Sequence, residues 1–534
     1  MPRSVLFRDL SRTFRIRRAG PLLWPACRAL LSVSVPLVIL LGLDRLDLVA
    51  GAVFGALTSV YSRNDPYRRQ VRTLAAVAVG MVLAVAIGDL VAVVWGGSTW
   101  HVTVALLATA LVGALATMAC TAVKAGAPGG LMFAFATGAC AHLPLSAGEL
   151  PVHLGVTAAS ATLAWTVSYV GARVRGLRPQ REAVAQALEA TAAHLEAPSG
   201  LPTRHRAAVA VDRAWNSVAE VGKRHRASSV LADLVRAVST CESVLVDDES
   251  PRATPADLRR AAHAVRHGEP SRPSGKGERG EPPAQRVPES RWRTLRGLGV
   301  AALRPGQHPS AWLLPYAARV GVAAFAAGVL THLLGIGHAY WAAVSAVSVL
   351  QATSTSTSVP RMVQRVSGTV FGVLVGLAVL SAHPAAWVVV LLLALLQWGA
   401  EMTVTVNYAF GLFFATPVAL LVSALGSALP PHELVADRVW ATLVGATVAV
   451  VVARLAPKRA WLSRVHLALA GVRRLSSAEQ PDPARLRAAL LELHEAYDVA
   501  AGEVPPERLP TEDLLTVSHR AYRVLDGREP VMGG

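Results

Sequence analysis

The sequence predicts an all-α polytopic membrane protein: about twelve transmembrane helices in two parallel six-helix repeats, with helical regions in the cytoplasm. Three observations predict it. The chain is 53% hydrophobic and 16% charged, and its apolar residues gather in long runs, whereas a soluble domain carries about 25% charged residues. Basic residues flank alternate ends of those runs. A stretch at 340–376 joins an aromatic pair, a short apolar run, a Ser/Thr-rich break with basic residues and a glycine-spaced apolar run. A weaker copy of it stands at 51–88.

The segments follow in order. Residues 1–21 are basic and somewhat amphipathic, without a convincing cleavage site, which predicts a retained cytoplasmic helix on the headgroups. The first membrane repeat, 22–172, offers spans at 22–42, 47–61, 71–94, 100–123, 127–147 and 152–172. Residues 173–267 place Ala, Leu and Val at helical spacing among charges, a cytoplasmic bundle. Residues 268–311 are rich in Pro, Gly and charge with little to bury, and predict a disordered linker. The second repeat, 312–456, offers 312–334, 338–352, 363–381, 385–404, 408–428 and 435–455. The tail, 457–534, predicts two or three more amphipathic helices.

Charge orients the spans. Arg12, Arg15, Arg17 and Arg18 precede the first; Arg63, Arg68, Arg69 and Arg72 follow the second; Lys124 follows the fourth; Arg173, Arg175, Arg178 and Arg181 follow the sixth. Arg361, Arg365, Arg454, Lys458 and Arg459 repeat the pattern. The alternate loops are nearly free of Lys and Arg. The positive-inside rule puts both chain ends in the cytoplasm of a cell whose inner (plasma) membrane the chain spans many times. The formal charge of +17 is therefore topological, and nucleic acid is not an expected partner. Cys27, Cys120, Cys140 and Cys241 form no CxxC pair, so buried thiols are expected rather than a disulfide framework or metal site.

The halves match in sequence. CRALLSVSV aligns with ARVGVAAFA, so Arg28 answers to Arg319; FAFATGA at 133–139 resembles LFFATPV at 412–418. Each arginine lies roughly 10 Å into its helix at about 1.5 Å per residue. An Arg there must snorkel, pair or line a wet cavity.

No nucleotide loop, zinc-protease helix or nucleophile elbow is present, so no enzyme, cofactor or metal is expected. HEAYD at 494–498 lacks the second His and predicts an ordinary solvated helix face. The breaks carry the chemistry instead. The runs 47–61 and 338–352 are short for a span, and short spans at matching places point to a transport site. Thr58, Ser59, Ser345, Ser348 and Gln351 supply polar groups there, with Thr353 to Ser358 beyond. Arg68, Arg69, Arg72, Arg361 and Arg365 supply cations suited to a carboxylate. The bland alternative is a set of positive-inside anchors beside a polar loop. Lys124 and Glu401 sit at similar depths and suggest a pair. Asn407 and Tyr408 open span eleven, and Thr416-Pro417 interrupts it. His142, His153, His332, His338 and His383 lie near the outer ends, as interfacial residues or proton sensors. Tyr340 and Trp341 fall where an outer aromatic belt is expected. Gly51/Gly55 and Gly368/Gly372/Gly376 have close-packing spacing.

YWAAVSAVSVLQ, then PRMVQRVSGTVFGVLVG, NYAFGLFFATPVAL and DRVWATLVGA, resemble the core of the fusaric acid resistance (FUSC) family of membrane transporters over about 312–460. The first half departs from it: SVYSRNDPYRRQ replaces the usual break and no YW precedes it. The resemblance implies export of small organic, aromatic carboxylate-like anions from the cytoplasm. The substrate path expected is Arg28, Arg319, Thr58, Ser59, Ser345, Ser348, Gln351, Arg72, Arg361, Arg365 and Asn407. The expected partners are the lipid bilayer, the anion and, beyond these, a second copy or an accessory efflux component. The alternative is a non-transporting scaffold or sensor acting through its cytoplasmic helices.

Overall fold

The structure is a computed structural model that describes residues 23–63, 65, 67–123, 125–174, 176–196, 201–219, 221, 228–246, 253–269, 312–351, 355–425, 430–456, 458–504 and 508–525. The basic segment 1–21, Lys124, most of the linker 268–311, and Thr353 and Ser354 lie outside the described residues. So do the side chains of Arg68 and of Thr355 to Thr357.

The described residues form helices and no strand. The first membrane block contains α1 (Leu23–Gly42), α2 (Val49–Ala56), α3 (Tyr67–Trp95), α4 (His101–Ala122), α5 (Leu131–Cys140) and α6 (Leu150–Val174). The second contains α11 (Leu313–Leu333), α12 (Tyr340–Leu350), α13 (Thr355–Ser381), α14 (Ala386–Thr403), α15 (Tyr408–Leu425) and α16 (Pro431–Leu455). Between them lie α7 (Arg178–Glu196), α8 (Leu201–Ala219), α9 (Ser229–Val246) and α10 (Pro255–His267). The tail contributes α17 (Arg459–Ser476), α18 (Pro483–Ala501) and α19 (Thr511–Leu525).

Eight of these helices are long and apolar enough to cross a bilayer, where about twelve spans were expected. The other four apolar segments, Leu46–Val60, Leu131–Cys140, Tyr340–Leu350 and Tyr408–Ala424, are shorter. Two of the four were expected to be short. The expected span 127–147 contracts to α5 because Gly126 and Gly129 take positive φ before it, and 141–147 turns away after it. Such residues raise the hydropathy of a window while ending the helix.

The short helices are central. All eleven residues of α12 and all eight of α2 are buried. A helix apolar on every side has no solvent face to present. Small residues let the neighbours approach: a Cβ on Gly55 would lie 2.3 Å from the Thr157 carbonyl oxygen, and one on Gly445 would lie 2.3 Å from that of Ala342. Thus α2 meets α6, and α12 meets α16, at backbone contact.

Longer helices wall this centre. Between the blocks, α1 packs on α14, α11 on α4, α12 on α5 and α2 on α15. Exposed apolar residues run in stripes at helical spacing: Leu83, Ile87, Leu90 and Val94 on α3; Leu107, Leu111 and Leu115 on α4; Trp387, Leu391 and Leu395 on α14. Soluble monomers rarely expose such continuous apolar surface, and lipid is its natural solvent.

The polar regions differ in how they are built. Helices α7–α10 enclose their own core around Leu188, Trp215, Val238 and Leu258. Burial there pushes the Cys241 thiol up to about 12. The tail has no such independence: Trp461, Leu469, Leu490, Val504 and Val517 belong to one core with α11, α12 and α16.

Candidate anion site

The central helix α12 is where polar chemistry collects. Its Ser345 and Ser348 are fully buried. Arg365, on α13, is 2% exposed and donates from Nη2 to Ser345 Oγ at 3.1 Å and from Nη1 to the Tyr408 hydroxyl at 3.1 Å. That hydroxyl also meets Ser348 Oγ at 3.0 Å. One turn earlier on α13, Arg361 donates from Nε to the Ser348 carbonyl at 3.0 Å and lies 4.2 Å from the centre of the Tyr408 ring. Four residues separate Arg361 from Arg365, so both face α12.

A third arginine joins them from α16. Arg438 is 4% exposed and lies 4.9 Å from the centre of the Trp341 ring. Its Nε and Nη1 take no hydrogen-bond partner, and it stands in the field of Arg365. From Trp341 to Ser348, α12 rises roughly 10 Å at about 1.5 Å per residue. Along that rise the levels are Trp341 with Arg438, Ser345 with Arg365, and Ser348 with Arg361. Among the described residues, none of these three cations makes an ion pair. Buried guanidinium groups without a counter-charge are expensive, and a carboxylate offers the charge and the bidentate geometry they lack.

The structure therefore gathers Ser345, Ser348, Arg361 and Arg365 of the expected path. Asn407 lies next to Tyr408 and accepts from the Ala409 amide at 2.9 Å, fixing the start of α15. Gln351, half-buried at the end of α12, would be 3.4 Å from a Cβ on Gly129. Arg72 is exposed on α3 and makes no hydrogen bond or ion pair among the described residues. Arg28 is fully buried and donates to the carbonyls of Ser59 and Tyr61. Thr58 Oγ1 and Ser59 Oγ are buried beside it without partners. Arg319 meets Glu503 of the tail at 2.8 Å.

Other positions came out differently. Glu401 accepts a two-pronged bond from Arg63, at 2.9 and 3.0 Å, across the two blocks. Arg63, taken only as a topogenic charge, is thus the described partner of Glu401, and the expected partner Lys124 is outside the described residues. Tyr340 and Trp341, expected in an outer belt, are 2% and 0% exposed. His338 stacks on Trp341 at 4.7 Å and bonds Asp437 at 3.0 Å, so the aromatic pair caps the column from inside the bundle. Sequence reasoning missed Arg438, which stood in a DR pair at the start of a span. Its signal was its depth, eight residues into α16.

One further cluster tests the expectation of no metal. Asp89, Cys140 and His153, all buried, bring their donor atoms within 4.8 Å of one another. His153 Nδ1 and Asp89 Oδ2 already bond at 2.8 Å, and Cys140 bonds Asp89 as well. Asp89 Oδ1 and His153 Nε2 are buried without a hydrogen-bond partner among the described residues.

Residues 322–452 match the family described as fusaric acid resistance protein-like. The chain is 23% identical over 496 residues to the uncharacterized membrane protein YvaC of Bacillus subtilis (strain 168), covering 85% of this chain and 77% of that one. It is 30% identical over 152 residues to the uncharacterized protein ORF2 of Neisseria gonorrhoeae, covering 28% of this chain and 35% of that one. No solved structure matches the chain.

Proposed function

Since the chain is a membrane protein of the fusaric acid resistance protein-like family, we propose that it exports small organic anions from the cytoplasm, aromatic carboxylates foremost. The observation that carries this reading is the column along α12 of Arg365 and Arg438, both buried, and the half-buried Arg361, without carboxylate partners among the described residues. Tyr408 and Trp341 stand in the same column with Arg361 and Arg438 over their rings, so aromatic and cationic groups that suit a ring and a carboxylate lie together. Fusaric acid is itself an aromatic carboxylate.

The paired packing of α1 on α14 and α11 on α4 supports two repeats about an axis along the membrane normal. With both chain ends inside, the tail-side end of the column faces the cytoplasm. An inside-negative potential then favours anion exit by about 2.3 kcal/mol per charge per 100 mV. No other energy source is required.

Radiolabelled benzoate flux in proteoliposomes under an imposed potential tests the reading. Arg365→Ala and Arg438→Leu should each cut flux at least tenfold, about 1.4 kcal/mol, with the fold intact by size exclusion. Unchanged flux in both folded variants removes the column from the path. A scaffold or sensor is the second reading, favoured by the tail sharing the core of the second block. It predicts no flux for any member of an organic-anion panel.

A further inference from the structure

The tail-side end of the arginine column is closed by the chain itself. Glu503, in the turn after α18, brings Oε1 to 2.8 Å from Arg319 Nη1, with the two side chains 1% and 3% exposed. The rings of Trp461 and Tyr316 flank the guanidinium at 5.4 and 5.5 Å. The Tyr316 hydroxyl donates to the carbonyl of Leu350, the last residue of α12, at 3.1 Å. That tyrosine lies in the fields of Arg319, Arg361 and Glu503 together. Arg319 is therefore next in line after Arg361, and a carboxylate is already seated on it.

The seat is incompletely used. Only Nη1 of Arg319 bonds Glu503, while Nε and Nη2 take no partner. A guanidinium presents a fork that a free carboxylate can fill with two parallel bonds. Buried ion pairs add little net stability, and a switching role is among their better attested uses.

We propose that Arg319 is a carboxylate-binding position at the tail-side mouth of the path, and that Glu503 is its tethered occupant. Glu503 holds the path shut until a free carboxylate takes its place and the turn after α18 moves away. The inference rests on the transport reading for what the path carries, but the latch itself has a readout of its own.

Two measurements on the full chain test it: benzoate flux in proteoliposomes, and the rate of tryptic cleavage in α17–α18. Glu503→Gln should raise flux several-fold and speed cleavage, while Glu503→Asp, which keeps the charge on a shorter arm, should raise both less. Faster cleavage with equal or lower flux overturns the latch, because it describes a clamp that merely docks the tail. Unchanged cleavage and flux in folded Glu503→Gln also overturn it. Should benzoate cross with no variant, the transport reading fails, and cleavage alone decides the latch. Added benzoate must then speed cleavage of the wild-type chain, and no change overturns the proposal.

Discussion

Arg28 and Arg319 hold corresponding places, six and seven residues into the first helix of each membrane block, yet their charges are met in opposite ways. Arg28 reaches the carbonyls of Ser59 and Tyr61, where the second helical segment of its own block ends. A helix C-terminus offers unpaired carbonyls and partial negative charge, so it accepts a cation without any carboxylate. Arg319 is met by a full negative charge that arrives from the tail. The difference extends further. In the second block Arg365 and Arg438 are buried and Arg361 half-buried, with no carboxylate bonded to them among the described residues, while the first carries the bonded pair Asp89 and His153. One block has settled its internal charges; the other leaves positive charge over. The two helix sets thus differ in how their buried charges are met, and on the proposed function only the second offers a place for anions.

The comparison can be broken most sharply at Arg319. Arg319→Ala removes the buried bond to Glu503 and should lower the unfolding free energy in detergent by about 3–5 kcal/mol. Adding Glu503→Ala should change stability far less than it does in the wild-type chain, because the pair is already broken. A double variant whose loss equals the sum of the two single losses would show that the pair is not the source.

Arg28→Ala should destabilise by about 2–4 kcal/mol, the worth of charged hydrogen bonds to two carbonyls. Its effect should add to that of Glu503→Ala, because the two sites share no partner among the contacts described. Strong non-additivity in the double variant would couple the two arginines and erase the contrast.

The smallest effect concerns pH. His205 on α8 stacks on His494 on α18, ring centres 4.8 Å apart, where the middle bundle meets the tail. Burial is the main cause holding both imidazoles below their ordinary value, with His494 adding repulsion at His205 and Asp498 opposing it. The released state then binds protons more readily than the docked one. Docking is fully present above the ordinary imidazole value near 6.5 and weakens as pH falls below it. Hydrogen exchange of α8 and α18 should rise modestly on acidification, and His494→Leu should flatten the dependence.

Much of this was legible in the sequence. Length of apolar run, alternation of charge and the two short spans gave the membrane blocks and their centre. Ser345, Ser348, Arg361 and Arg365 were singled out because hydroxyls and cations cluster at the break after a short span, and the structure brings them into contact. Glu503 was not found, since its partner stands 184 positions earlier and nothing local marks a surface-looking acid as buried. Arg63 and Glu401 are 338 positions apart and were missed for the same reason. Span 127–147 was overestimated because hydropathy averages composition and does not register the turns at Gly126 and Gly129.

The two arginines also differ in when they find their partners. The carbonyls that serve Arg28 follow it by 31 and 33 positions, so that block can neutralise its buried charge soon after the helices emerge during synthesis. Arg319 must wait for Glu503, and until the tail is made the second block enters the bilayer with one more uncompensated cation. Translation that stalls within α18 would thus leave Arg319 without Glu503, a charge imbalance that a chain interrupted after the first block would not carry.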